Sequence, residues 1–418
     1  MHLRKNLLPI LHWHALSPLG ICLLVLCLLA CETDSNGPQS ASTPTRTHTS
    51  TSIPDTRGTA SHKPSSFQSQ NTGDETGILW SPDGSKIVIF GANLDTPNAL
   101  EVWNAQSRTL VWSTRTDRPN ASFYHVSWSP DGKKITAVVS DLSPHIETWD
   151  ATTGRILWQK AYQHNEPEPV EIAWSPNGKL LAVNTGTQTV SSNWGVSIFD
   201  GGTRHLLAFN GKLSKFPNGT TIAWSPDSTT IAATSESVSL WNVNRGMTTT
   251  VAPAIAQRQD VVSWSHDGSA LVFGSHGVFR VVDVTTTATR CTATYAPGDR
   301  NPMGSLAWST NDQSIFTESV DLIMIFNASN CTTERISTYN NAGTTLSATV
   351  VQCSPDVKWI AFLSKEPTVR VYDVAKGIFA WHFVNPTQKT VVNVSWSPNS
   401  HLLASIDVGG TIMIWELR

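Results

Sequence analysis

Residues 80–84 read Trp-Ser-Pro-Asp-Gly, and residues 128–132 repeat them letter for letter. Close variants follow as WSPNG at 174, WSPDS at 224, WSHDG at 264, WSTND at 308, CSPDV at 353 and WSPNS at 396. A catalytic motif is needed once in a chain, so a phrase used eight times marks architecture. Its spacing runs from 40 to 50 residues. A repeat array grows by adding units and not by enlarging one core, so the length of 418 residues does not itself call for several domains.

One unit is enough to read the local structure. Over residues 124–160, YHVSW alternates and holds β-branched and aromatic residues, which predicts a strand. SPDG is turn chemistry: Pro130 presets φ, Asp131 can bond nearby backbone, and Gly132 accepts positive φ. KITAVVS is a second strand, DLSP a turn and HIETWD a third strand. ATTG turns again, and RILWQK is a fourth strand. The third strands end in Trp103-Asn104, Trp149-Asp150, Phe199-Asp200, Trp241-Asn242, Val282-Asp283, Phe326-Asn327, Tyr372-Asp373 and Trp415-Glu416. Of the 17 tryptophans, only Trp13, Trp194 and Trp359 fall outside this register.

Four-stranded units with a Trp-Asp-type ending and this period resemble the WD-repeat family of β-propellers, over residues 73–418. The resemblance implies an all-β fold, a single propeller of eight four-stranded blades, with seven as the alternative. A small twisted sheet cannot bury both faces alone, and radial stacking buries each against its neighbour. The last unit stops after its third strand, and the family's habit of closing the ring with an upstream segment points to residues 62–72, HKPSSFQSQNT. Most units lack the family's Gly-His pair, with His125 the nearest match, and Gly409-Gly410 stands where the family favours Asp-Gly. The ring is therefore expected to rely on apolar packing. TolB-like propeller repeats also use WSPDG, but the Trp-Asp and Trp-Asn endings favour the WD-repeat reading.

The N-terminus reads as an address. Arg4 and Lys5 precede an apolar run from Leu19 to Ala30, too short to span a bilayer comfortably. Leu28-Leu29-Ala30-Cys31 resembles the bacterial lipoprotein signal, which implies cleavage after residue 30 and a lipid on Cys31. Residues 32–70 are rich in Ser, Thr and Pro and nearly free of apolar residues, the composition of a disordered tether. The expected location is the outer side of the cytoplasmic membrane, or the periplasm or outer membrane where the envelope has one.

No reaction centre outweighs its structural explanation. Ser265-His266-Asp267 holds the letters of a hydrolase triad, but consecutively, in the turn that other units fill with Ser-Pro-Asp. No metal, nucleotide or dinucleotide motif occurs, so no cofactor and no metal are expected. The formal net charge is −3 and no basic stripe is visible, which argues against nucleic acid. Cys291 and Cys331 are read as fourth-strand residues of successive blades. They either pair in an oxidising compartment or remain thiols because outer strands splay apart.

What remains is the rim of loops. Aromatic residues on loops are the usual anchors of binding patches. Trp194, Phe123, Tyr124, Tyr162, Phe216 and Tyr295 are the candidates, led by Trp194. The expectation is a monomeric, non-enzymatic scaffold binding a protein or peptide on this face. The alternative is an enzyme or small-ligand binder using the central channel.

Overall fold

The computed structural model describes residues 65–417 apart from 92–97, 117–120, 141–143, 164–165, 187–193, 214–220, 235–236, 254–260, 276, 295–305, 320–321, 339–349 and 364–366. These residues hold thirty-two strands in eight four-stranded antiparallel sheets, and eight, not seven, blades form the ring. Blade 1 comprises β2 (Gly77–Trp80), β3 (Lys86–Phe90), β4 (Ala99–Asn104) and β5 (Leu110–Arg115). Blades 2 to 7 repeat that order. Blade 8 takes β30 (Val391–Trp396), β31 (Leu402–Asp407) and β32 (Thr411–Glu416), and its outer strand is β1 (Ser65–Gln68), from the other end of the chain. Ser65 pairs with Ile414 and Gln68 with Thr411.

The repeated phrase makes two structures at once. Its last four letters build the turn from first to second strand. Ser81 Oγ donates to Asp83 Oδ1 and accepts from Lys86 N, Asp83 Oδ1 also accepts from Ser85 N, and Gly84 N donates to Ser81 O. Ser129 with Asp131, Ser225 with Asp227, and Ser397 with Asn399 repeat the arrangement. Burial would raise the Asp83 carboxyl, but the bonds from Ser81 and Ser85 outweigh it and hold it below its usual value. The fifth position takes positive φ, 69° at Gly84 and 63° where Ser228 replaces glycine. The replacements reach sideways: Ser228 Oγ accepts from Asn177 N, Ser400 Oγ accepts from Asp356 N, and Asp312 accepts from His266 N and Asp267 N. Each joins its turn to that of the preceding blade. His266 is thus a turn residue held by Asp312 of the next blade, and the triad letters make no relay.

The first letter is an inner latch. The indole N–H of Trp80 donates to Ser395 O, Trp224 to Ala173 O, Trp264 to Ala223 O, Trp308 to Ser263 O and Trp396 to Gln352 O. In each case the acceptor precedes the equivalent position of the neighbouring blade. A buried indole N–H needs an acceptor, and this geometry gives it one only when the next sheet is in place. The Trp128 and Trp174 indole nitrogens have no partner among the described residues. The Trp174 ring instead lies under Arg204 at 5.0 Å and Lys134 at 5.6 Å.

The Asp or Asn that ends each third strand has a local cause too. In blade 2, β8 (His145–Asp150) ends where Asp150 Oδ1 accepts from Thr152 N, Thr153 N and Thr153 Oγ1. This Asx-type turn leads into β9 (Ile156–Ala161). Between the sheets lie eight apolar clusters, each made by two successive blades. The cluster of Ile78, Trp80, Ile87 and Ile89 with Ala404, Ile406 and Ile412 joins the first blade to the last.

Outer latches close some of the joints as well, and here one sequence reading needs correction. Trp112, third residue of β5, packs under the last turn of blade 2 and donates to Ala151 O. A side chain on Gly154 would meet its ring at 2.7 Å. Cys291 is the third residue of β21 (Thr289–Thr294), the position Trp112 holds in β5. Cys331 is not in a fourth strand. It sits in the turn between β24 (Leu322–Asn327) and β25 (Thr333–Thr338), with φ 56°, where blade 2 has Gly154. That turn reaches across to the neighbouring outer strand, so the two sulfurs are joined, with Cα atoms 5.5 Å apart. The splay of outer strands does not apply, because only one partner lies on a strand.

Candidate binding faces of the ring

First strands run toward the WSPDG turns, so the ring has two unlike ends. One end carries the short turns after first and third strands. The other carries the longer loops after second and fourth strands, and many of these lie outside the described residues.

The predicted anchors scatter. Phe123 belongs to β6 (Ser122–Trp128) and is buried, edge-on to Trp149 at 6.0 Å, inside the cluster joining blades 1 and 2. It is a core residue and not a binding anchor, because the strand starts two residues before the YHVSW reading placed it. Tyr162 follows the end of β9 and belongs to no strand, but it too is buried, among Ile172, Trp174 and Phe199, and leaves the patch. Tyr124 is half-buried, packs on that cluster and donates to Pro169 O. Phe216 and Tyr295 lie outside the described residues. Trp194 stands half-buried at the loop end, just before β12 (Gly195–Asp200), and its indole nitrogen has no partner among the described residues. Cys31 lies outside the described residues as well.

Sequence reasoning passed over Glu171 in β10 (Pro169–Trp174). Its carboxylate is buried at the joint between blades 3 and 4 and accepts from Ile222 N. Burial pushes its pKa up to about 8, against the smaller opposing effect of hydrogen bonds from Ile222 and Asn184. The signal was an acid inside an otherwise apolar first strand. An acid whose folded pKa lies above its unfolded value of 4.5 costs nothing below pH 4.5. The cost grows as pH rises toward 8. Glu171→Gln keeps the acceptor and removes the titration, so it should stabilise the ring at pH 7 by on the order of 3 kcal/mol. Urea midpoints compared at pH 7 and pH 4 check this; an equal difference at both pH values refutes it. His125 stands one blade earlier, on the neighbouring first strand, in the left-handed region at φ 48°, and burial lowers its pKa to about 4. It is neutral at ordinary pH and packs edge-on to Tyr124 at 5.5 Å.

Blade 8 supplies a polar knot of the kind the sequence seemed to lack. Asp407 accepts from Asn385 Nδ2 and Thr387 Oγ1 with one oxygen, and from Gly409 N and Thr411 N with the other. The Gly409-Gly410 pair is therefore no loss, since the acid stands two residues earlier. Trp415 Nε1 donates to Ser405 Oγ beside it. Among the described residues no group of three or more His, Cys, Asp or Glu could hold a metal ion. No helix among them is long and apolar enough to cross a membrane.

Two family descriptions match parts of the chain: "Eukaryotic translation initiation factor eIF2A" over residues 39–212, and "WD domain, G-beta repeat" over residues 378–416. No curated protein matches. Among solved structures, the C-terminal WD40 domain of Sif2 is 13% identical with a TM-score of 0.62, covering 83% of this chain and 97% of its own. The Cps50 (Swd1) β-propeller domain of Myceliophteria thermophila is 13% identical with a TM-score of 0.53, covering 85% and 98%. Sqt1 of Chaetomium thermophilum, bound to the N-terminus of the ribosomal protein L10, is 16% identical with a TM-score of 0.62, covering 84% and 100%. Repeat phrase, blade order, inter-blade latches and these likenesses agree, and the chain folds as an eight-bladed β-propeller of the WD-repeat kind.

Proposed function

We propose that this protein is an extracytoplasmic scaffold, tethered to a membrane through a lipid on Cys31, that holds a partner protein or peptide on the loop end of its ring. The observation that carries the binding half is Trp194: a large aromatic outside the repeat register, half-buried at the loop end, with an indole N–H lacking a partner among the described residues. A large aromatic held at the loop end presents apolar contact area at little ordering cost. The similar Sqt1 ring, bound to the N-terminus of a ribosomal protein, supports the reading that a ring of this shape can hold a peptide. The tether half rests on the Leu28–Cys31 signal and the Ser/Thr/Pro-rich stretch after it.

Affinity capture from membranes should recover a partner with the wild type and lose most of it with Trp194→Ala; equal recovery shows that the loop-end patch is wrongly placed. Growth with a palmitate analogue should label the wild type and not Cys31→Ser. Label retained by the Ser variant removes the tether from the proposal.

A further inference from the structure

The outer rim of the ring is uneven. Four consecutive blades expose apolar side chains at the start of their fourth strands: Leu110 and Val111 on β5, Ile156 and Leu157 on β9, and Leu206 and Leu207 on β13 (Leu206–Asn210). Met247, first residue of β17 (Met247–Pro253), continues the row on blade 4. Exposure reaches 52% at Ile156, 57% at Leu206 and 61% at Met247. Blades 5 and 6 carry Thr289 and Arg290, then Thr333 and Glu334, at the same register. Hydrophobic residues scattered singly are ordinary, but adjacent pairs on three successive blades, with Met247 beside them on a fourth, make a surface.

Charge accompanies the row. Arg108, Arg155 and Arg245 stand exposed in the turns that open these strands, and Arg115 closes β5. Strands β5, β9, β13 and β17 contain no Asp or Glu. The surface is the edge formed by the outermost strands. Apolar side chains interleaved with arginines on such an edge fit an interface of acyl chains and anionic headgroups.

The path of the chain adds an independent argument. Leu110 pairs with Trp103, Ile156 with Trp149 and Met247 with Asn242, so the row lies at the end of the third strands, the turn end of the ring. Ser65 pairs with Ile414, one residue from Trp415, so the chain enters the ring at that same end, on the blade beside blade 1. About 34 residues separate Ser65 from Cys31, a typical reach of roughly 30 Å. A lipid on Cys31 would therefore hold the turn end, and not the loop end, toward the bilayer.

We infer that the apolar and arginine-bearing rim of blades 1 to 4 is a second contact with the membrane, one that docks the ring on an anionic lipid surface with its loop end free. This rests on the tether reading of Cys31 but is tested without it. Every strand and the closing pair of β1 with β32 lie within residues 65–418, so that span forms the complete ring. In flotation assays this span should associate with vesicles containing about 30% phosphatidylglycerol and far less with pure phosphatidylcholine. Leu206→Ser with Leu207→Ser should lower the bound fraction roughly five-fold while circular dichroism stays unchanged. Arg108→Gln with Arg155→Gln should weaken binding and flatten its dependence on salt. Equal flotation of wild type and the Leu206/Leu207 variant overturns the proposal. So does a wild type that fails to float, or one that elutes as a dimer which the variant converts to monomer, since the row is then an interface between copies. Because the span lacks Cys31, loss of the tether and loss of this contact are separate results.

Discussion

Replacing Cys291 and Cys331 by serine should cost the ring about 4 kcal/mol, the chain-entropy value for a loop of this length. The bridge closes a sequence separation of 40 residues and clamps blade 5 to blade 6 at the outer edge. The same place between blades 1 and 2 is held by Trp112 against Gly154, and between blades 2 and 3 by Trp158 under Arg204 at 5.8 Å. The bridge is therefore one of several solutions to the same joint. Cys291→Trp with Cys331→Gly should return part of the lost stability and make it insensitive to reductant. Thermal unfolding with and without dithiothreitol measures both effects. An unchanged midpoint in the Ser/Ser variant would show that the blade 5–6 interface needs no covalent support.

A chain that starts at Gln70 should lose more. β1 carries the four strand pairs that complete blade 8, and Phe67 packs on Trp103 at 4.9 Å as well as on the cluster shared by blades 8 and 1. Gln68 Nε2 donates to Gly409 O, and Ser69 N to Gly410 O. Exposing one aromatic side chain and breaking these bonds costs about 5 kcal/mol. At about 2.1 cal/mol/K per residue of unfolding entropy, that is a fall in Tm of about 7 °C. The opened edge of β32 should also become the first site of proteolysis. A truncated chain with the wild-type Tm would mean that the ring closes through the blade 8–blade 1 cluster alone.

The blades were legible because their signals are local and periodic. A Ser-Pro-Asp-Gly turn and a third-strand Asp make their bonds within five residues, so sequence neighbours suffice to read them. The latches were not legible, because most join residues 41 to 51 apart and that of Trp80 reaches across 315. Nothing near Trp308 announces Ser263 as its acceptor. Cys331 was misplaced for a related reason: its turn takes positive φ, and the cue for that conformation is usually glycine, as at Gly154, Gly246 and Gly377. Phe123 reads as a loop residue only when the strand bound is set too short, and Tyr162 is a connecting residue that packs inward on the adjoining blade. Glu171 is hidden in the opposite sense. A charged letter in a strand suggests surface, and only the adjoining sheet shows that it is enclosed. The outer rim escaped notice because Leu-Val, Ile-Leu and Leu-Leu look like core until the outer strand is known to have no neighbour beyond it.

The tryptophan latches of blades 4, 5, 6 and 8 point one way, back to the blade made before, whereas that of blade 1 points to the last blade. Trp224 finds Ala173 already synthesised, and Trp264 finds Ala223, whereas the acceptor for Trp80 is Ser395. A nascent chain can therefore lock its blades in order as they emerge. The Trp80 indole and β1 wait for blade 8. Any stall before Ser395 leaves an arc with two sticky ends.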